Sequence, residues 1–223
     1  MTPTLEHEAD LLTASVYLPG RAGALAGVGG RSIGQWARNG LVTPTVYEGR
    51  PANLYSYYDV AEAIVVRWLL SQDFQHREIR AALDDVREEW PQWPLLNAPL
   101  GIGKQSPDDR GALVRQDGPG VYVDIGGSAP GQVVIKPAML DRARDMLRNG
   151  GWLADALGLT RIEVQPTKLG GQPSLKERRW TVDHVAQIAA DIEGRSVLEG
   201  DYGLFRDEVD ESLAWVKAAA ELV

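Results

Sequence analysis

The spacing of apolar and polar positions predicts a mainly helical chain. Between residues 57 and 71 the apolar side chains fall on one helical stripe, which is typical of an amphipathic helix facing a core. Those residues are Val60, Ile64, Val65, Trp68 and Leu69. Ser56 and Asp59 before them form a capping-box-like start. Further helices are predicted at about Gly20–Ala26, Arg31–Asn39, Gln75–Glu89, Lys136–Arg148, Thr181–Ile192, Val197–Glu199 and Arg206–Leu222.

Short alternating segments predict some β structure in the middle of the chain. Ala112–Gln116 and Val121–Ile125 flank the turn sequence Asp117-Gly118-Pro119-Gly120, which predicts a hairpin. Gln132–Ile135 is predicted as a third short strand, and Arg161–Val164 as another. The predicted fold class is therefore mainly α with a small β element.

Composition divides the chain into five segments. Residues 1–15 are predicted to be a flexible acidic arm, and residues 16–90 a first helical domain. Residues 91–110 contain four prolines, which indicates a linker because proline disrupts helices and inner strands. Residues 111–160 carry the predicted hairpin and a helix, and residues 161–223 a second helical domain.

Composition also excludes several classes of protein. No stretch reaches about 18 uncharged apolar residues, so no membrane span is predicted. The acidic N-terminus lacks the pattern of a secretory signal. Cysteine is absent, and His7, His76 and His184 have no partner at metal-ligand spacing. We therefore expect a cytoplasmic protein without a metal or cofactor.

The net charge of −8 is unevenly distributed. Between residues 16 and 60, four arginines face only Glu48 and Asp59. From residue 161 onward, eight lysines and arginines face twelve aspartates and glutamates. The basic segment is weak for a nucleic-acid-binding monomer, because each phosphate contact adds to affinity by counterion release. A dimer that doubles this segment is the expected binder.

One motif lies in the first domain. The glycines of Gly27–Gly30 allow two helices to cross closely, and the second helix then projects from the surface. The run from Ser32 to Pro44, SIGQWARNGLVTP, resembles the recognition helix of MerR-type winged helix-turn-helix proteins. The likeness extends over about Tyr17–Glu89. It implies binding to operator DNA.

The resemblance and the chemistry of base recognition together select the candidate DNA contacts. Arg31, Ser32 and Gln35 open the recognition helix and are placed for base edges or phosphates. Arg38, Arg50 and Asn53 are placed for the DNA backbone. Tyr55, at a wing position that is often basic in the family, completes the set. Ile33 and Trp36 are expected to pack inward. The family's long dimerising coiled coil is absent, so no metal or small-molecule sensor of the usual MerR kind is indicated.

A second motif lies near the other end. The segments Ile162–Pro166 and Gly171–Val182 resemble a small helical domain associated with VapB-type antitoxins, over about Arg161–Ala219. Gln172 stands where that family has an arginine, and Arg179 matches its signature arginine. The resemblance implies a PIN-like ribonuclease toxin as partner.

Two sets of residues are candidates for the toxin contact. Each set also has an alternative interpretation as an ordinary part of the fold. Lys176, Arg178 and Arg179 are candidates to block an acidic toxin pocket. Alternatively, the last helix lays an apolar face in a toxin groove through Leu213, Trp215 and Val216. Ordinary core packing is the competing interpretation of the helix, and Arg179 as a ligand of the Gly-Pro turn carbonyls is the competing interpretation of the basic cluster.

No catalytic set is evident. Gly27–Gly30, Gly101–Lys104 and Gly126-Gly127 match no phosphate-binding signature, and Asp108-Asp109 has no partner group in the sequence. The expectation is a non-enzymatic antitoxin that neutralises its toxin and represses its own operon, as a homodimer or a hetero-oligomer with the toxin. The alternative is a stand-alone MerR-like regulator that uses the C-terminal domain for dimerisation.

Overall fold

The computed structural model describes residues 15–104, 110–119, 121–125 and 139–222. These residues form a mainly helical protein with two small antiparallel sheets, which confirms the predicted class. The helices are α1 (Pro19–Leu25), α2 (Gly30–Arg38), α3 (Tyr57–Ser71), α4 (His76–Val86), α5 (Pro94–Asn97), α6 (Met139–Arg148), α7 (Gly151–Leu157), α8 (Val182–Ile188), α9 (Ile192–Gly200) and α10 (Arg206–Glu221), with a 3-10 turn at Leu169–Gly171.

Glycines set the close crossing of α1 and α2. A Cβ on Gly23 would lie 2.7 Å from the carbonyl oxygen of Val28, and one on Gly30 would lie 2.9 Å from the amide nitrogen of Gly20. Larger residues at either position would therefore push the two helices apart. Helix α2 ends at Arg38. Gly40, two residues further on, has a φ of +68°, in the left-handed region that glycine adopts without strain.

Helix α3 is the central element of the first half. The predicted capping box is present: Asp59 N–H donates to the Ser56 hydroxyl, and Ser56 N–H donates to the Asp59 carboxylate. The fully buried Asp59 also accepts from the amide and hydroxyl of Thr45 and, at 2.7 Å, from Nε1 of Trp93. These bonds compensate the burial of the carboxylate.

The bond from Trp93 changes the interpretation of the proline-rich segment. Helix α5 begins at Pro94, a first-turn position that proline tolerates, and Leu95 and Leu96 are buried in the main core. The described part of the predicted linker is therefore packed structure, and its linker assignment is wrong.

Three strands form the larger sheet, in the order β1-β2-β3: β1 (Leu100–Gly103), β2 (Ala112–Gly118) and β3 (Val121–Asp124). The β2–β3 hairpin agrees with the prediction, and β1 was not predicted. The predicted strand Gln132–Ile135 lies outside the described residues, as do the predicted helix start at Lys136 and most of the acidic arm. A second sheet pairs β4 (Ile162–Glu163) with β5 (Ser174–Leu175).

The two halves of the chain share one hydrophobic core. A single cluster of buried side chains runs from Tyr17 through α3 to Ile162, Val182 and Trp215. At its border the Tyr17 hydroxyl donates to the carbonyl of Gly171 over 2.8 Å. A smaller cluster lies within the C-terminal half and consists of Leu175, Val185, Ala189, Leu198, Leu204 and Val209.

Candidate nucleic-acid interface

Helix α2 presents a polar face to solvent. Arg31, Ser32, Gln35 and Arg38 are exposed, in agreement with their predicted role as surface contacts. Arg38 donates to Oε1 of Gln35 over 2.7 Å, which holds the Gln35 amide in place on that face. The opposite face is buried through Ile33, Trp36 and Ala37. The expected inward packing of Ile33 and Trp36 is confirmed.

Arg80 of α4 and Arg87, the residue directly after this helix, hold the C-terminal end of α2. Nη2 of Arg87 donates to the carbonyl of Gly40 over 2.9 Å, and Arg80 donates to the carbonyl of Asn39. Positive charge at a helix C-terminus is favourable for the helix dipole. Neither arginine was selected from the sequence. The only signal there is their spacing of seven residues, which places two side chains on the same side of a helix. Their bonds fix the direction in which α2 projects.

The loop from Tyr47 to Leu54, here called the wing loop, follows α2 along the chain. Reciprocal backbone hydrogen bonds between its end residues, Tyr47 and Leu54, close the loop. Within it, Oδ1 of Asn53 accepts from Gly49 N–H over 3.1 Å. Asn53 therefore has an internal bond that shapes the loop. Arg50, at the tip, is exposed. Of the two predicted wing contacts, Arg50 is the more accessible.

Tyr55, predicted as a DNA contact, is a core residue. Its side chain is 0% exposed, its backbone pairs with Tyr17, and its hydroxyl donates to the carbonyl of Ile33 over 3.5 Å. Burial raises the pKa of this phenol, so it stays neutral. The prediction is wrong because the pairing with Tyr17 turns Tyr55 inward, which the wing sequence does not reveal.

The exposed arginines of α2 and of the wing loop have no acidic partner in the described part of the chain. Arg31, Arg38 and Arg50 form no ion pair with any residue in the described ranges. Many other arginines do, among them Arg110 with Glu78 and Arg161 with Asp207. In a chain with a net charge of −8, these three arginines therefore keep their positive charge available for a ligand.

The three residues of the predicted basic cluster, Lys176, Arg178 and Arg179, have different environments in the fold. Arg178 is held by Glu208, with 2.7 Å between Nε and Oε1, and it donates to the carbonyl of Gly203. Arg178 is thus occupied within the fold. Arg179 is exposed and bonds to no part of the chain that the structure describes, so its interpretation as a ligand of turn carbonyls is wrong. Lys176 is half-buried and lines a cleft beside Phe205.

The apolar face of the last helix is used inside the protein. Trp215 is 0% exposed, and its Nε1 donates to the carbonyl of Gly150 over 3.0 Å. Val216 packs against the main core and Leu213 against the smaller one. Trp215 as a toxin contact is therefore wrong, and ordinary core packing, the competing interpretation, accounts for this face.

No metal-binding group of histidine and carboxylate side chains occurs among the residues described here. None of the described helices has the length and apolar character that crossing a bilayer requires.

Comparison with known proteins indicates a fold but no family. No family model matches the sequence, and no curated protein matches it. The crystal structure of Rv2018 from Mycobacterium tuberculosis is similar, with a TM-score of 0.56 and 17% identity over 88% of this chain and 96% of that one. At this identity the likeness is one of fold alone.

Proposed function

We propose that this chain is a transcription regulator that binds duplex DNA through the polar face of α2 and the tip of the wing loop. The resemblance of the segment around Ser32–Pro44 to MerR-type winged helix-turn-helix proteins supports this role. The observation that carries the proposal is that Arg31 and Arg38, on the exposed face of α2, and Arg50, at the tip of the wing loop, form no ion pair among the described residues of an acidic protein.

We assign the individual roles from the chemistry of the exposed side chains. Gln35, held by Arg38, offers an amide that suits the edge of adenine, and Arg31 offers a fork that suits guanine or phosphate. Arg50 suits the phosphate backbone. Three cations give a modest electrostatic contribution, so two copies on a two-fold-related site are the expected binding form.

Fluorescence anisotropy with duplex DNA from the region upstream of the gene tests this proposal. Arg31→Ala and Arg38→Ala should each weaken binding and reduce the salt dependence of log K by about one phosphate contact. Arg206→Ala removes the same charge from an exposed position of α10 and should change neither quantity. Equal losses in all three variants, or no binding to the upstream duplex, would contradict the proposal.

An antitoxin role is the second candidate, and a specific surface favours it. Phe205 and Tyr202 expose 60% and 55% of their side chains, and the guanidinium of Arg178 lies 5.4 Å from the Phe205 ring centre. Exposed aromatic and arginine side chains are typical of protein interfaces. With Arg179 and Lys176 nearby in sequence, this surface suits an acidic protein partner such as a PIN-like ribonuclease.

Co-purification of the tagged chain with the product of the adjacent gene tests the antitoxin role. Under this role, Arg179→Glu should abolish the complex and leave DNA binding intact. The matched variant Arg142→Glu, on the exposed side of α6, should retain the complex. DNA binding without any protein partner would support the stand-alone regulator.

A further inference from the structure

A cleft of about 490 Å³ lies between the two halves of the chain. Tyr57 and Tyr58, in the first turn of α3, form one wall. Arg144 and Arg148 of α6 and the loop that ends at Thr167 complete it. The volume is within the range of small-molecule sites, which are commonly about 300–1,000 Å³.

The two arginines of this cleft are four residues apart and lie on one face of α6. Like charges at this spacing destabilise a helix slightly, so an anion bound between the two side chains would be favourable. Neither side chain forms an ion pair with any residue in the described part of the chain. The carboxylate of Glu163 is bound to Lys168. Asp145 acts electrostatically on Tyr57 but forms no ion pair with either arginine.

Arg144 is also incompletely bonded. Its Nε is buried and has no acceptor among the described residues. A buried donor without a partner is uncommon and often marks the place of a bound ion or ligand. The guanidinium lies 5.7 Å from the ring centre of Tyr58, which leaves its remaining donors for an anion.

The tyrosines add a second chemical feature. Burial raises the pKa of Tyr57 to about 12, partly offset by Arg148 and Arg144, so its hydroxyl remains a neutral donor. Tyr57 is only 7% exposed, and the Tyr58 ring packs on Trp93 with 5.0 Å between the ring centres. The tyrosines therefore offer ring edges to the cleft, beside the half-buried Pro166. An arginine fork binds phosphate and carboxylate by parallel hydrogen bonds, and a tyrosine ring packs against another flat ring.

We infer that this cleft binds a small organic anion, with a phosphate or carboxylate group on Arg144 and Arg148 and a flat ring against Pro166 and the edges of the tyrosine rings. The site goes beyond the proposed DNA-binding role and does not depend on it. Because its walls come from α3 and from α6, an occupant would contact both halves of the protein at once.

Isothermal titration calorimetry of the full chain tests this inference. The probes are phenyl phosphate, benzoate and inorganic phosphate. Phenyl phosphate or benzoate should bind, and inorganic phosphate should bind more weakly because it lacks a ring. The double variant Arg144→Gln/Arg148→Gln should weaken binding at least about tenfold, which is the loss of about 1.4 kcal/mol. Arg142→Gln, an exposed position on the same helix, should bind as the unchanged protein does.

Because Arg144 contacts Tyr58, the double variant could lose stability. Arg148→Gln alone, at an exposed position, should keep the unfolding midpoint and still weaken binding by about threefold or more. Absence of binding by both organic probes would overturn the inference, as would equal affinity for inorganic phosphate. A double variant that keeps probe binding but weakens DNA binding would also overturn it, since the arginines would then serve the DNA backbone.

Discussion

The guanidinium of Arg21 in α1 lies 5.1 Å from the ring centre of Trp215 in α10, nearly two hundred positions along the chain. Arg21 also forms an ion pair with Asp183 of α8. The first helix of the N-terminal half is thus held by two elements of the C-terminal half. The proposed regulator is therefore a protein in which the two halves fold together.

Replacement of Trp215 should destabilise the whole protein. Trp215→Ala removes a fully buried ring and its bond to Gly150, and a loss of about 3–5 kcal/mol is expected. Chemical unfolding followed by circular dichroism and by tryptophan fluorescence should show one shared transition at lower denaturant. Separate transitions for the two signals would mean that the halves unfold independently.

Substitutions at Tyr55 and at Arg38 should have different effects on DNA affinity. Tyr55→Phe removes only a long hydrogen bond to Ile33 inside the core, so DNA affinity should be retained and stability should fall by less than about 1.5 kcal/mol. Arg38→Ala should lower DNA affinity with little change in stability. Anisotropy and thermal unfolding of both variants check this. A loss of DNA affinity in Tyr55→Phe at unchanged stability would restore Tyr55 as a contact.

Because of the buried carboxyl of Glu62, the free energy of unfolding should fall as the pH rises. Burial, as the main cause, raises its pKa from 4.5 to about 8, and it accepts a bond from the amide of Leu95. The folded chain then holds a proton that the unfolded chain has released between those two pH values. The stabilisation is complete below about pH 4.5 and is lost as pH rises through about 8.

Glu62→Gln keeps a neutral acceptor for Leu95 and should flatten the decline between pH 5 and 8, measured as the denaturant midpoint at each pH. Glu88→Gln, at an exposed position, is the control and should leave the slope unchanged. The explanation fails if the slope of the Glu62 variant equals that of the unchanged protein.

Replacement by alanine should have very different effects on stability at Gly29 and at Gly20. A Cβ on Gly29 would lie 2.2 Å from the carbonyl oxygen of Leu222, so Gly29→Ala forces α10 away from the turn and should cost about 1–3 kcal/mol. Gly20, in α1, has open space around its Cβ position. Gly20→Ala should be neutral or stabilise the protein by up to about 1 kcal/mol. Thermal unfolding midpoints of both variants check the contact, and similar midpoints would argue against it.

Local patterns determined several elements of this protein from the sequence alone. The bounds of α3, Tyr57–Ser71, were predicted correctly, because the capping box at Ser56 and the apolar stripe depend on neighbouring residues only. The crossing at the glycine turn and the exposed face of α2 followed in the same way, since helical periodicity separates Ile33 and Trp36 from Arg31 and Gln35.

Tertiary structure alone decided which apolar faces are covered and by what. Trp215 and Tyr55 carry the same local signals whether they meet a partner or their own chain, and only the packing of distant segments places both in the core. The same holds for the proline-rich segment, because Pro94 is compatible with a linker and with the first turn of a helix. Burial depends on contacts between residues far apart in sequence, and these are not encoded in any short window of it.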